Sequence, residues 1–235
     1  DKAIKRILND KLPESSRMKE TYNTNHCDLM VSGSKVFDKI INSAFCYYGS
    51  VLHSGSPRND CLFRKDEQLK ENIKKELGIA PKYKILLYAP TFRDHAMYNQ
   101  KENIDIDKTL QVFEKVTSEK WICLGRFHPM THERNKFASM SIIDVTNYYD
   151  MADLLYISDA HITDYSSTAG DFVLLNRPVF LFHADKADYE KNDRGFYFKV
   201  EDTPFWIAST QEELENLIMT KMQKGAVEEN CKAIL

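Results

Sequence analysis

Strand-sized apolar runs alternate along this chain with segments of helical period, and that alternation restricts the fold more than any other feature. The runs are Lys84–Ala89, Trp121–Leu124, Ser141–Val145, Ala160–Thr163 and Pro178–Phe182. Between them the spacing predicts helices over Ile106–Val116, Met151–Ile157 and Thr168–Leu175. A further helix starts at Asp66, carries Leu69, Ile73 and Leu77 a turn apart, and stops at Gly78. Upstream, Cys27–Val31 and Val51–Gly55 read as strands around a helix opened by Ser34 and marked by Phe37, Ile40, Ile41 and Phe45. Near the end, Thr210 and Glu213 form a capping box ahead of Leu214, Leu217 and Ile218. Short apolar strands joined by helices require βαβ crossovers, so the expected fold class is α/β, a Rossmann-like parallel sheet flanked by helices. The turn-rich stretch Gly55–Leu62 marks a boundary. Residues 1–55 are expected to finish an upstream domain and its linker, and residues 56–235 to form a complete Rossmann-like domain. The chain starts at Asp1 in what reads as continuing sequence, so a fragment is expected.

Composition removes several classes. Thirty-two Lys and Arg against 35 Asp and Glu leave a formal charge of −3, which argues against nucleic acid as a partner. No apolar run approaches the roughly 20 residues of a membrane-spanning helix. The basic residues Arg64, Lys65, Lys70, Lys74, Lys75, Lys82 and Lys84 read first as a solvated face, with a weak peripheral membrane contact as the second reading. The five cysteines are scattered without a CxxC pair, which predicts buried, reduced thiols in a cytoplasmic protein. No secretory signal is present.

With only 8 glycines, the chain contains neither GxGxxG nor a Walker loop. A phosphorylated ligand would then need a helix start dressed with hydroxyls, whose N–H groups and dipole attract anions. Asp164-Tyr165-Ser166-Ser167-Thr168-Ala169-Gly170-Asp171 follows a strand and opens a helix as this requires, although Ser166 or Ser167 could serve merely as an N-cap. Arg126-Phe127-His128-Pro129 stands past another strand. Alternation puts Arg126 and His128 on one side, where a cation and an imidazole suit a phosphate losing a leaving group. A surface arginine and a structural histidine are the plainer reading. Thr91 and Arg93 in Tyr88–Asp94 again end a strand with a hydroxyl and a guanidinium, and Asp193-Arg194-Gly195-Phe196 is a weaker example. His128 and His132 lie i,i+4, but Pro129 between them opposes a helical zinc pair. Asp105-Ile106-Asp107 matches a DxD metal pattern, yet it precedes a helix, where two aspartates favour the dipole. No metal and no cofactor are expected. Four polar motifs at successive strand ends together point to a nucleotide-diphosphate site.

The ordered set Ser56-Pro57-Arg58-Asn59-Asp60, Tyr88–Asp94, Arg126–Pro129, Ile162–Ser167, Leu174–Pro178 and Tyr189–Tyr197 resembles the CDP-glycerol glycerophosphotransferases, the teichoic acid polymerase family, from about Cys27 to Ile218. The resemblance implies a GT-B arrangement of two Rossmann-like domains, of which this chain holds the C-terminal, donor-binding one. It implies transfer of glycerol phosphate, or a related alditol phosphate, from a CDP-activated donor to a hydroxyl of a lipid-linked or polymeric acceptor, with release of CMP. His128 then corresponds to the family's essential donor-site histidine. Ser166 and Ser167 hold the pyrophosphate, and Arg126 and Arg93 compensate its charge. The expected substrate-binding set is Thr91, Arg93, Arg126, Ser166, Ser167, Asp171 and Arg194, with His128 catalytic. The family's Trp-His-Gly motif is missing, since Trp121 and Trp206 are the only tryptophans. The chain is therefore expected to be part of the active enzyme, working in the cytoplasm at the inner face of the membrane. The residues leave two other readings open: a GT-B glycosyltransferase using a nucleotide sugar, and a non-catalytic nucleotide-fold module.

Overall fold

The computed structural model describes residues 14–35, 37, 38, 41, 45–91, 104–128, 141–187, 189 and 199–235. The chain divides into two compact units, residues 1–60 with 187–200 and residues 61–186 with 201–235.

In the first unit, helix α1 (Glu14–Thr24) precedes two parallel strands, β1 (Leu29–Ser32) and β2 (Ser50–His53). Leu29 lies opposite Ser50 and Val31 opposite Leu52. The Ser34 hydroxyl accepts the Phe37 N–H at 3.1 Å, so the cap read from the sequence forms. Helix α1 was not anticipated: it is polar and largely exposed, without an apolar stripe to reveal it.

The second unit is built on six parallel strands. They are β3 (Tyr83–Tyr88), β4 (Lys120–Gly125), β5 (Ile142–Asp144), β6 (Ala160–Thr163), β7 (Val179–Phe182) and β8 (Trp206–Ala208), in the order β5-β4-β3-β6-β7-β8. Helices α2 (Glu67–Glu76), α3 (Ile106–Thr117), α4 (Met151–Ile157), α5 (Thr168–Val173), α6 (Gln211–Lys221) and α7 (Lys224–Ile234) flank the sheet. Both faces are apolar, as parallel strands require. Leu86, Trp121, Cys123, Ile162, Phe180 and Ala208 pack with Leu110, Phe113, Leu214 and Ile218 on one face. Ile85, Leu87, Leu124 and Leu181 alternate with them and are also buried. The Phe113 ring stacks on Trp121 at 4.6 Å and meets Phe180 edge-on at 6.0 Å.

Local chemistry sets the element ends. Asp66, Asp105, Asp150 and Thr210 each accept a first-turn N–H. Gly78, at φ 69°, follows α2 in the left-handed region, and its N–H bonds the Lys75 carbonyl. In the reciprocal bond of the capping box it is the Ser209 N–H, not that of Thr210, that donates to Glu213 Oε2. The helix expected to reach Leu175 stops at Val173, because Asn176 turns the chain at φ 55°. Arg177 Nη1 then donates to the carbonyls of Tyr156 and Ser158, pinning the end of α4. All five cysteines are free thiols. Only Cys123 and Cys231 are buried; Cys27, Cys46 and Cys61 are half-buried, which corrects the expectation that all five would be buried. Among the described residues, no helix is long and apolar enough to cross a membrane.

Candidate functional site

Strand order decides where a ligand would sit. The chain runs outward from β3 to β5, returns to β6 beside β3, and runs outward again to β8. Connections diverge at the β3/β6 pair, and the crevice beyond the carboxyl ends of such a pair is where doubly wound sheets bind ligands. Thr91 follows β3, and Asp164 to Thr168 follow β6.

Side chains stitch the two ends together. The Ala89 N–H donates to Ile162 O at 3.1 Å, and the Thr163 hydroxyl donates back to Ala89 O at 2.7 Å. Asp164, 6% exposed, is the hub. Its Oδ1 accepts from Thr91 N at 2.8 Å, from Thr91 Oγ1 at 2.6 Å and from Tyr165 N at 2.6 Å. The Thr91 hydroxyl therefore serves the scaffold by tying the end of β3 to the turn after β6. Tyr165 lays its ring on His183 at 4.4 Å and donates its hydroxyl to Asp185 Oδ1 at 2.9 Å. His183 Nε2 meets Asp164 O at 3.1 Å, whereas its buried Nδ1 has no hydrogen-bond partner among the described residues. Burial pushes the His183 pKa down.

The two serines differ. Ser166 Oγ lies 3.0 Å from Thr168 Oγ1 and accepts the Thr168 N–H at 3.3 Å. Ser167 occupies the cap position of α5, but its exposed hydroxyl makes no capping bond. Asp171 is half-buried in the first turn of α5, and its N–H bonds Ser167 O. Beneath them His161 is fully buried, with Nδ1 3.0 Å from Leu87 O and Nε2 3.0 Å from Thr168 Oγ1. Burial pushes its pKa down to about 4.

The end of β4 holds the third group. The Arg126 N–H donates to Tyr88 O at 2.8 Å, tying this end to β3. Its half-buried guanidinium turns onto the loop after β5, where Nη1 donates to Val145 O at 2.9 Å and to Tyr148 O. Burial lowers the Arg126 pKa against the field of Asp150. The alternation expected for Arg126 and His128 ends with the strand at Gly125. Phe127, between them, is buried and gives its N–H to Thr146 Oγ1 at 3.1 Å, while His128 is exposed. Arg93 and Arg194 lie outside the described residues. Asp105 accepts the Lys108 N–H at 3.0 Å, so the first aspartate of the DxD pattern is a cap. Among the described residues, no cluster of three or more His, Cys, Asp or Glu could hold a metal ion.

Two supporting residues escaped the sequence reading. The sequence marks Asp164 only as part of a motif and His161 only as a strand residue. The available signal was a histidine inside a fully buried four-residue strand and an aspartate directly after it, where either must be paired once buried.

A family model for CDP-glycerol:poly(glycerophosphate) glycerophosphotransferases matches residues 3–233. This chain belongs to that family. It is 36% identical over 182 residues to the teichoic acid poly(glycerol phosphate) polymerase of Bacillus spizizenii, covering 74% of this chain and 45% of that protein. It is 32% identical over 216 residues to the polymerase of the same description from Staphylococcus epidermidis, covering 86% and 30%. The family member thus spans under half the length of these relatives. Its structure superimposes with a TM-score of 0.76 on a variant of the wall teichoic acid polymerase TagF soaked with CDPG, at 29% identity, covering 98% of this chain and 59% of that one. The order of motifs, not any single one, carried the resemblance seen in the sequence, and the fold agrees with it.

Proposed function

We propose that this chain is the donor-binding part of an enzyme that transfers glycerol phosphate, or a related alditol phosphate, from a CDP-activated donor to a hydroxyl of a teichoic-acid-like polymer. The observation that carries the reading is the family match over residues 3–233. The convergence of Thr91, Asp164, Ser166 and Ser167 at the β3/β6 ends agrees with it. Residues 1–55 would complete an acceptor-side domain. The enzyme would work at the inner face of the membrane, in peripheral contact, on a lipid-linked or polymeric acceptor.

The reaction forms one phosphorus–oxygen bond and breaks another. An acceptor hydroxyl attacks the phosphorus that carries glycerol, the bond to the CMP phosphate oxygen breaks, and CMP leaves with the electron pair. The acceptor proton passes to a base on the acceptor side. Charge builds on the phosphoryl oxygens and the departing phosphate, and preorganised donors stabilise it. Ser166 and Ser167 line the crevice for the pyrophosphate, with Thr91 on its β3 side. Arg93, Arg126 and Arg194 supply compensating charge, and the Asp171 carboxylate accepts hydroxyls of the nucleoside. His128, exposed beyond β4, donates a proton or a charged hydrogen bond to the leaving phosphate, a role worth about 10²–10⁴ in rate.

The test is thermal stability of the chain with CDP-glycerol, CMP, UDP and UDP-N-acetylglucosamine, repeated with Ser166→Ala/Ser167→Ala. A ligand at 100 times its Kd adds about 2.7 kcal/mol. Cytidine ligands are expected to stabilise the chain and the double variant to lose the effect. Preference for uridine ligands would move the assignment to a nucleotide-sugar glycosyltransferase. No shift with any ligand would overturn donor binding by this chain.

A further inference from the structure

The two serines at the end of β6 do not offer a phosphate the same hydrogen-bonding group. His161 decides this from beneath them. Its Nδ1 faces the carbonyl of Leu87 at 3.0 Å, and a carbonyl can only accept, so Nδ1 carries the proton. The fully buried ring is neutral near pH 7, because burial holds its pKa down to about 4. A neutral imidazole protonated at Nδ1 leaves Nε2 as a bare acceptor. The Thr168 hydroxyl, 3.0 Å from Nε2, must therefore point its single proton at the ring. Either hydroxyl can donate across the 3.0 Å between Thr168 Oγ1 and Ser166 Oγ; with the Thr168 proton turned to the ring, it is the Ser166 proton that fills this contact, pointing inward. Ser166 also receives the Thr168 N–H at 3.3 Å, which occupies one of its lone pairs. Ser167 has no such commitment: it is exposed and its hydroxyl caps nothing.

We propose that His161 is a positioning residue of the donor site. Through Thr168 it holds the Ser166 proton away from the crevice, so that Ser167 is the hydroxyl that donates to the donor's phosphate and Ser166 is a fixed acceptor. The assignment rests on the donor-site reading above. It turns a symmetric pair of serines into two different groups: one meets phosphate oxygens, and the other suits a hydroxyl or amine of the donor.

The experiment combines spectroscopy with binding. Long-range proton–nitrogen NMR on the chain labelled at histidine reads the His161 tautomer at pH 7 without any ligand. Calorimetry with inorganic pyrophosphate and with CDP-glycerol then compares Ser166→Ala with Ser167→Ala. A charge-assisted hydrogen bond is worth about 10- to 100-fold in affinity. Ser167→Ala is therefore expected to weaken pyrophosphate by at least about 10-fold and Ser166→Ala by only a few-fold. Freeing the Ser166 proton with His161→Leu should restore it as a donor, so Ser167→Ala costs less in that background. Thr168→Val breaks the same relay one residue closer to the crevice and should give the same change, which keeps the test intact where His161→Leu does not fold. An Nε2-protonated or doubly protonated ring overturns the assignment, and so do equal losses from the two serine variants. A wild-type chain that binds neither ligand overturns the donor-site reading itself, a result distinct from a chain that binds both but treats the serines alike.

Discussion

At the scale of single residues, the site is supported by groups that cannot carry charge where they sit. His161 is the extreme case. The unfolded chain protonates this imidazole below about pH 6.5, while the folded chain does not until about pH 4. Above pH 6.5 both states are neutral and the ring adds no pH dependence. As pH falls from 6.5 toward 4 the unfolded state binds the extra proton, so stability falls throughout that window, by about 3 kcal/mol in all. His183, held down by the same cause, acts in the same direction. Urea denaturation at pH 7 and pH 5 should therefore show a steep loss in the wild type and a loss about 2 kcal/mol smaller in His161→Gln. Parallel losses in the two proteins would place the acid sensitivity elsewhere. Asp164 shows the complementary device. Its buried carboxyl is satisfied by two N–H groups and a hydroxyl, and these bonds shape the turn.

At the scale of elements, the end of β4 depends on a missing side chain. A Cβ on Gly125 would stand 2.7 Å from Phe127 Cε2, closer than real contacts allow, and 3.2 Å from Ile142 Cγ2, tighter than most. Phe127 cannot retreat easily, because its ring packs edge-on against Tyr88 at 6.1 Å and its N–H is held by Thr146. Gly125→Ala should therefore cost about 1–3 kcal/mol, read as a lower urea midpoint at unchanged slope. It should also weaken CDP-glycerol by displacing the backbone between Arg126 and His128. An unchanged midpoint would mean that Phe127 moves freely. What the sequence disclosed at this scale follows from the same physics. Strands β3, β4, β6 and β7 were legible because sheet strands covered on both faces are continuous apolar runs. Strand β8 was not, since Trp206-Ile207-Ala208 is three residues long and follows a polar stretch. Helix α7 hid because Lys224–Ile234 mixes Gly225 with scattered charges and, among its described side chains, buries just Val227 and Cys231. The positions of Thr91, Ser166 and Ser167 could be read because strand ends are where polar motifs collect. The turning of Arg126 onto Val145 and Tyr148 could not, because it depends on a loop 19 to 22 residues away in sequence.

At the scale of the whole molecule, the described candidate residues Thr91, Arg126, His128, Ser166, Ser167 and Asp171 all belong to the unit of residues 61–186 and 201–235. A donor bound there stabilises that unit directly, and four of the five thiols report whether the stabilisation stays within it. Cys123 is fully buried in β4 and Cys231 nearly so in α7; burial pushes both thiols up, Cys123 far above the usual range, so neither reacts until the unit opens. Cys27 and Cys46, half-buried in the other unit, need no such opening. Labelling with a disulfide reagent in the limit of rapid reclosing measures the open population of each neighbourhood. CDP-glycerol at 100 times its Kd should slow Cys123 and Cys231 about 100-fold and leave Cys27 and Cys46 at their ligand-free rates. Equal protection of all four thiols would mean that the two units open together. Unchanged rates at Cys123 and Cys231 would mean that the ligand does not engage the β3/β6 crevice, because no ligand bound to the folded unit can leave its opening equilibrium untouched.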